Sequence, residues 1–102
     1  MLHAVTLIYT AQKAAIEPHL DAHKQWLARG FRDGKILFAG PLSDGTGGYI
    51  LFHEEDVSNV THFLSEDPFI VHNVAAADVV TLEPALCAQE FPAKWAGKAK
   101  PV

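Results

Sequence analysis

The order in which the apolar residues change their spacing limits the folds open to this chain more than any other feature. Residues 3–10 alternate, with Val5, Leu7 and Tyr9 on one face and Ala4, Thr6 and Ile8 on the other. Both faces are largely apolar, so this strand needs cover on two sides. Over residues 12–33 the spacing becomes helical: Ile16, Leu20, His23, Leu27 and Phe31 fall on one stripe. Pro18 belongs to a first turn, which starts the helix proper near Glu17, and Gly34 stops it. Gly30, inside the last turns, is a mild weakness. Ile36-Leu37-Phe38 centres a second strand over residues 35–39, and Gly40-Pro41 marks its end or a bulge. The glycine-rich piece 43–48 is a turn, and residues 49–53 return as a third strand, which makes an antiparallel hairpin. Asp56 and Ser58 offer N-cap chemistry for a second helix over residues 57–66. A short turn or helical piece then runs through Asn73, and Val79-Val80-Thr81-Leu82 lies within a fourth strand over residues 78–86.

Strand, helix, strand, strand, helix, strand is the split βαβ order. It predicts an α+β domain, a ferredoxin-like βαββαβ fold with a four-stranded antiparallel sheet and helices on one face. The other face is apolar too, and the economical way to bury it is against a second copy, sheet to sheet, in a homodimer. A hydrophobic content of 49% leans the same way. Residues 88–102 carry Pro92, Pro101 and Trp95 without a period and read as a tail to a domain over residues 1–87, with Trp95 docked rather than free in water.

Composition removes several classes of function. A net charge of −4 with eight Lys and Arg gives no nucleic-acid footprint. One cysteine, Cys87, excludes an internal disulfide and fits a reducing compartment. No apolar run reaches the length of a membrane span, and the first ten residues read as a strand rather than a leader. A cytoplasmic, water-soluble protein is the expectation. The glycines at 45, 47 and 48 precede a strand and no Lys-Ser/Thr pair follows, so they are a turn rather than a phosphate loop.

One carboxylate stands out. Val57, Val60 and Leu64 recur at helical spacing, and Asp67 takes the next place on that stripe. A carboxylate on a core-facing line is costly to desolvate unless something pairs with it, and Pro68 restrains the backbone just before it. His23, on the apolar stripe of the first helix, is the candidate partner. An imidazole moves protons near neutral pH, and a carboxylate behind it fixes the tautomer and stabilises the charged form. The alternative is a purely structural His–Asp bond tying two helices together. His19 and His23 stand at i, i+4, a spacing that two metal ligands can share, but no third ligand or HExxH glutamate accompanies them, so no metal is assigned. His72 stands near the rim of the expected site, Ser43 in a turn that could reach a ligand, and Phe38 and Phe69 could wall an apolar pocket for a flat ring.

His23, Gly34, Gly40-Pro41 and Asp67-Pro68-Phe69, in that order and with ten residues between the first two, resemble the YciI-like (YCII domain) proteins of the dimeric α/β-barrel group over roughly residues 2–86. The resemblance implies a homodimer and a cleft where His23 meets Asp67 as a catalytic dyad, with Phe38, Gly40, Pro41, Ser43, Phe69 and His72 around a small-molecule substrate. The chemistry it implies is cofactor-free proton shuttling on hydroxylated aromatics, including elimination of chloride. Relatives often carry an arginine three residues before the histidine; here that place is Leu20, which weakens transfer of the substrate class. The expected function is a cofactor-independent lyase or isomerase acting on a small hydroxylated or enolisable compound. Two alternatives stay open: a non-catalytic ligand-binding or accessory dimer in which His23 and Asp67 are structural, and a heme- or metal-assisted activity.

Overall fold

A computed structural model describes all 102 residues. Four strands form one antiparallel sheet: β1 (Leu2–Tyr9), β2 (Ile36–Pro41), β3 (Gly47–His53) and β4 (Ala75–Leu82). Their order is β2-β3-β1-β4, with β1 in the centre pairing to β3 and β4. Alternation in β1 divides the sheet into two faces. The face carrying Val5, Leu7, Ile50 and Phe52 is buried under the helices, whereas Ile8, Phe38, Val80 and Leu82 on the other are exposed.

The first helical region is in three pieces: α1 (Lys13–Ile16), a 3-10 turn (Glu17–His19) and α2 (Leu20–Arg32). Pro18 sits in the 3-10 turn, so the long helix begins at Leu20 rather than near Glu17. Its end is a Schellman arrangement: Lys35 N–H donates to the Gly30 carbonyl (2.9 Å) and Gly34 N–H to that of Phe31 (3.1 Å). Gly34 makes this possible with φ +73°. The buried line of α2 is His23, Trp26 and Gly30. Phe31, expected on the stripe, is exposed. Gly30 takes the inward place because its missing side chain lets the helix lie directly on Ile36 and Phe63; a Cβ there would run into both. What reads in sequence as a weak point of the helix is a close contact between helix and sheet. Trp26 anchors the same helix by donating Nε1–H to the Phe63 carbonyl at 3.0 Å and stacking on the Phe63 ring at 4.6 Å.

Between β2 and β3 the register slips at Leu37, a bulge. Ile36 pairs with Phe52 on the buried face, but Phe38 pairs with Leu51 on the open one. The helix α3 (Val57–Leu64) is capped by the Asp56 carboxylate, which accepts the Ser58 N–H at 2.9 Å. It stops before Glu66 because the residue preceding a proline is driven out of helical conformation. A single turn, α4 (Pro68–Val71), follows, and Asn73 at φ 57° closes it as Gly34 closes α2. β4 starts at Ala75, three residues ahead of expectation, because Ala75 and Ala76 pair with Tyr9 and Ile8 of β1.

The tail is partly structured. β5 (Leu86–Cys87) pairs in parallel with β6 (Lys100–Pro101), and α5 (Ala93–Ala96) lies between them. Trp95 packs edge-on to Phe91 at 6.1 Å, with the Lys94 ammonium over its ring. No helix is long and apolar enough to cross a membrane. Two apolar clusters fill the space between helices and sheet: a larger one around Val5, Trp26, Phe52 and Phe63, and a smaller one of Ile16, Phe69, Val74 and Ala75.

Candidate active site

The two clusters meet at His23. Its ring lies flat on Phe69 of the smaller cluster, centroids 3.9 Å apart and 7° from parallel, and 5.7 Å from Trp26 of the larger. His23 Nδ1 is 2.7 Å from Asp67 Oδ1, within the range of a charge-assisted hydrogen bond. Asp67 is fully buried and His23 nearly so.

Local structure explains how the carboxylate comes to stand there. Asp67 is not on the stripe of α3; it is the N-cap of α4, extended at φ −63° and ψ 123°, with Pro68 in the first helical position. Its Oδ1 also accepts the Phe69 N–H at 3.1 Å. One oxygen therefore holds both the turn that presents Phe69 and the imidazole that stacks on Phe69. The second oxygen, Oδ2, is buried with no hydrogen-bond partner. When Asp67 is ionised it only accepts, so the hydrogen of this bond is then on His23 Nδ1, and in that neutral tautomer Nε2 carries the lone pair. Stacking and the Asp67 bond together restrict ring rotation, which fixes the direction of that lone pair.

His23 and Phe69 line a cleft of about 250 Å³ between α2 and the β2–β3 hairpin. Leu20 and Leu27 form its helix side, with Leu7 and Ile50 contributed by the sheet. Gly40 and Pro41, expected near a ligand, line it as well. Three other residues expected here stand elsewhere. Phe38 is turned to the open face of the sheet by the bulge, where it stacks on Tyr49 at 5.8 Å. Ser43 is exposed in the hairpin turn, and His72 stacks on His19 at 3.9 Å, outside the cleft. Among the lining residues that were not anticipated, two carry polar groups beside His23 and Phe69: Lys24, next to His23 on α2, and Tyr9, whose ring meets Phe69 edge-on at 5.9 Å. Tyr9 was legible as the last inward residue of an alternating strand. Lys24 follows His23 directly in sequence, but nothing in the pattern marked it. No cluster of three or more His, Cys, Asp or Glu side chains converges as a metal site would require, and His19 faces His72 rather than His23.

A sheet in the order β2-β3-β1-β4, helices on one face only, and a cleft over the hairpin end of that sheet together define the chain as a ferredoxin-like α+β subunit. No family model matches the sequence, and no curated protein matches it either. Solved structures do. The chain is similar to the 5-chloro-2-hydroxyhydroquinone dehydrochlorinase from Burkholderia phenoliruptrix AC1100 in complex with 2,5-dihydroxybenzoquinone, at 21% identity over 82% of this chain and 95% of that one, with a TM-score of 0.63. It is also similar to a muconolactone isomerase, at 16% identity over 89% of this chain and 94% of that one, with a TM-score of 0.66. At these identities the likeness is one of fold, an α+β arrangement with a four-stranded antiparallel sheet and helices on one face.

Proposed function

We propose that this chain is a YciI-like, cofactor-independent lyase or isomerase in which His23 and Asp67 act as a proton-shuttling dyad on a small hydroxylated or enolisable compound. The observation that carries the reading is the 2.7 Å bond from His23 Nδ1, whose ring is at the wall of an apolar cleft, to the fully buried Asp67 behind it. His23 Nε2 takes a proton from a carbon next to a substrate carbonyl, whose oxygen receives the electron pair as an enolate, or from an enolic or phenolic hydroxyl, which becomes the equivalent oxyanion directly. Asp67 holds the imidazolium that forms. The proton then returns at another carbon, an isomerisation, or the enolate expels a leaving group from the neighbouring carbon, an elimination. The apolar walls formed by Leu7, Leu20, Leu27 and Ile50 keep water from competing for the enolate. The dehydrochlorinase and the isomerase of the same fold support this choice of reaction types.

We place the chain in a homodimer in which the open face, with Phe38 and Val80 each 54% exposed, packs on that of a second copy. Phe38 then belongs to the subunit contact. Such a molecule needs neither metal nor organic cofactor for the steps above.

The test is a screen for proton exchange and turnover, followed by NMR in deuterated water, using hydroxylated quinols, chlorinated quinols and unsaturated lactones. Wild-type turnover should fall by about 10²–10⁴-fold in His23→Gln and in Asp67→Asn, with both variants folded. Full activity in both removes the dyad. A second reading, a ligand-binding dimer with a structural His–Asp bond, draws on the double use of Asp67 Oδ1 as N-cap and as partner of His23. It gains if no compound turns over while both substitutions cost several degrees of melting temperature.

A further inference from the structure

We propose that the cleft selects small planar compounds bearing an oxyanion, and that Lys24 is the side chain that pairs with that charge. The inference deepens the proton-transfer reading of the same cleft and rests on it for the role of His23.

Three observations converge on Lys24. First, the chain is acidic, with 12 Asp and Glu against eight Lys and Arg, yet no carboxylate lines the cleft, whereas Lys24, His23 and Tyr9 do. Second, among the other Lys and Arg side chains of residues 1–87, only Arg32, at the far end of α2 and outside the cleft, is unpaired. Lys13 stands 3.7 Å from Glu17, Arg29 3.1 Å from Glu66, and Lys35 3.0 Å from Glu54. Lys24 enters no ion pair and no side-chain hydrogen bond. Third, it directly follows His23 on α2, one turn beyond Leu20, so the ammonium and the imidazole are carried by the same rigid segment.

The physical consequence is selectivity. An anion entering a cleft walled by Leu, Ile and Phe loses much of its hydration, and without a counter-charge that loss opposes binding. An ammonium at the mouth of such a cleft attracts an anion held against apolar walls more strongly than it would an anion surrounded by water. Leu20 adds only apolar contact, so the charge preference rests on Lys24 alone. Carried one residue from His23, the same positive charge would also favour the oxyanion created when His23 removes a proton, which would couple recognition of charge to the reacting end of the substrate.

The experiment measures binding of 2,5-dihydroxybenzoate and of its neutral amide, 2,5-dihydroxybenzamide, by isothermal titration calorimetry at low and high salt. The wild type should bind the carboxylate about tenfold more tightly than the amide, an advantage that shrinks as salt is added. Lys24→Met should bring the carboxylate to the affinity of the amide and leave the amide unchanged, and Lys24→Arg should keep the preference. Absence of a preference in the wild type, whether both compounds bind alike or neither binds, overturns the proposal. So does a preference that survives in Lys24→Met. Because Lys24 is exposed on the helix surface, its substitution leaves the fold intact. His23→Gln separates the two readings: a carboxylate preference present in both wild type and His23→Gln, with no turnover in either, leaves the Lys24 assignment standing and removes the dyad. Turnover without a charge preference does the reverse.

Discussion

Replacing Asp67 by alanine should cost about 2–4 kcal/mol of stability, and the structure indicates where the cost comes from. Oδ1 is the sole acceptor for two donors, His23 Nδ1–H at 2.7 Å and Phe69 N–H at 3.1 Å. Each donor left unpaired in the interior costs roughly 1–3 kcal/mol. Part of that sum is returned, because Oδ2 is buried without a partner and its desolvation penalty disappears with the side chain. Against a total stability of ~5–15 kcal/mol for a domain of this size, the loss is large. It should lower the thermal midpoint by on the order of 10–20 °C. Urea unfolding at fixed protein concentration, followed by circular dichroism, reads the effect as a lower midpoint at unchanged slope. Asparagine at the same position keeps an acceptor for both donors and should cost less than alanine. A cycle with His23→Ala isolates the pair: once His23 is gone, Asp67→Ala should lose much of its effect. The reasoning fails if Asp67→Ala costs under about 1 kcal/mol, or if the two substitutions are additive.

Other consequences are simpler to measure. A Cβ at Gly47 would strike the Leu7 carbonyl across the β1–β3 pairing, so Gly47→Ala should cost more than about 2 kcal/mol, whereas Gly40→Ala, with open space around it, should stay within about 0.5 kcal/mol; equal melting temperatures would contradict this. Phe38→Glu places a charge on the open sheet face and should yield monomers in analytical ultracentrifugation; an unchanged mass removes that face as the subunit contact. The Ser58 backbone N–H holds the Asp56 carboxyl below its ordinary value of 3.8, and the Thr46 side chain does the same for Asp44. Both contributions are fully present above pH 3.8 and are lost as pH falls through the lowered values. Asp56→Asn should therefore remove the acid-induced shift of the Ser58 amide in NMR, and persistence of that shift would refute the cap.

How much of this was legible in the sequence differs from element to element. The inward face of β1, the hairpin and the pairing of His23 with Asp67 follow from spacing and from the cost of burying a lone carboxylate. The route by which Asp67 reaches its partner does not. Stripe counting placed it on a continuing helix, whereas the proline behind it ends that helix, and a new turn begins with the carboxylate as its cap. Asp-Pro at the start and Asn73 at the end were the available signals of that turn. Phe38 was misplaced for a different reason. Alternation puts Ile36 and Phe38 on the same face unless a residue is inserted, and a bulge at Leu37 depends on the partner strand rather than on local sequence. The early start of β4 is similar: Ala75 and Ala76 have little strand tendency of their own and are recruited by β1. Gly30 was read by propensity alone, which cannot register the close approach of Ile36 and Phe63.

Gly48 pairs with Leu7, so any side chain at that position would project under the helices and into the volume beside Phe69. The room available to a guest molecule is thus set partly by an atom the chain omits, on a strand that carries neither half of the His23–Asp67 pair. Guest size and proton chemistry are separately adjustable in this scaffold: growth at position 48 would narrow admission while leaving the machinery on α2 and α4 in place.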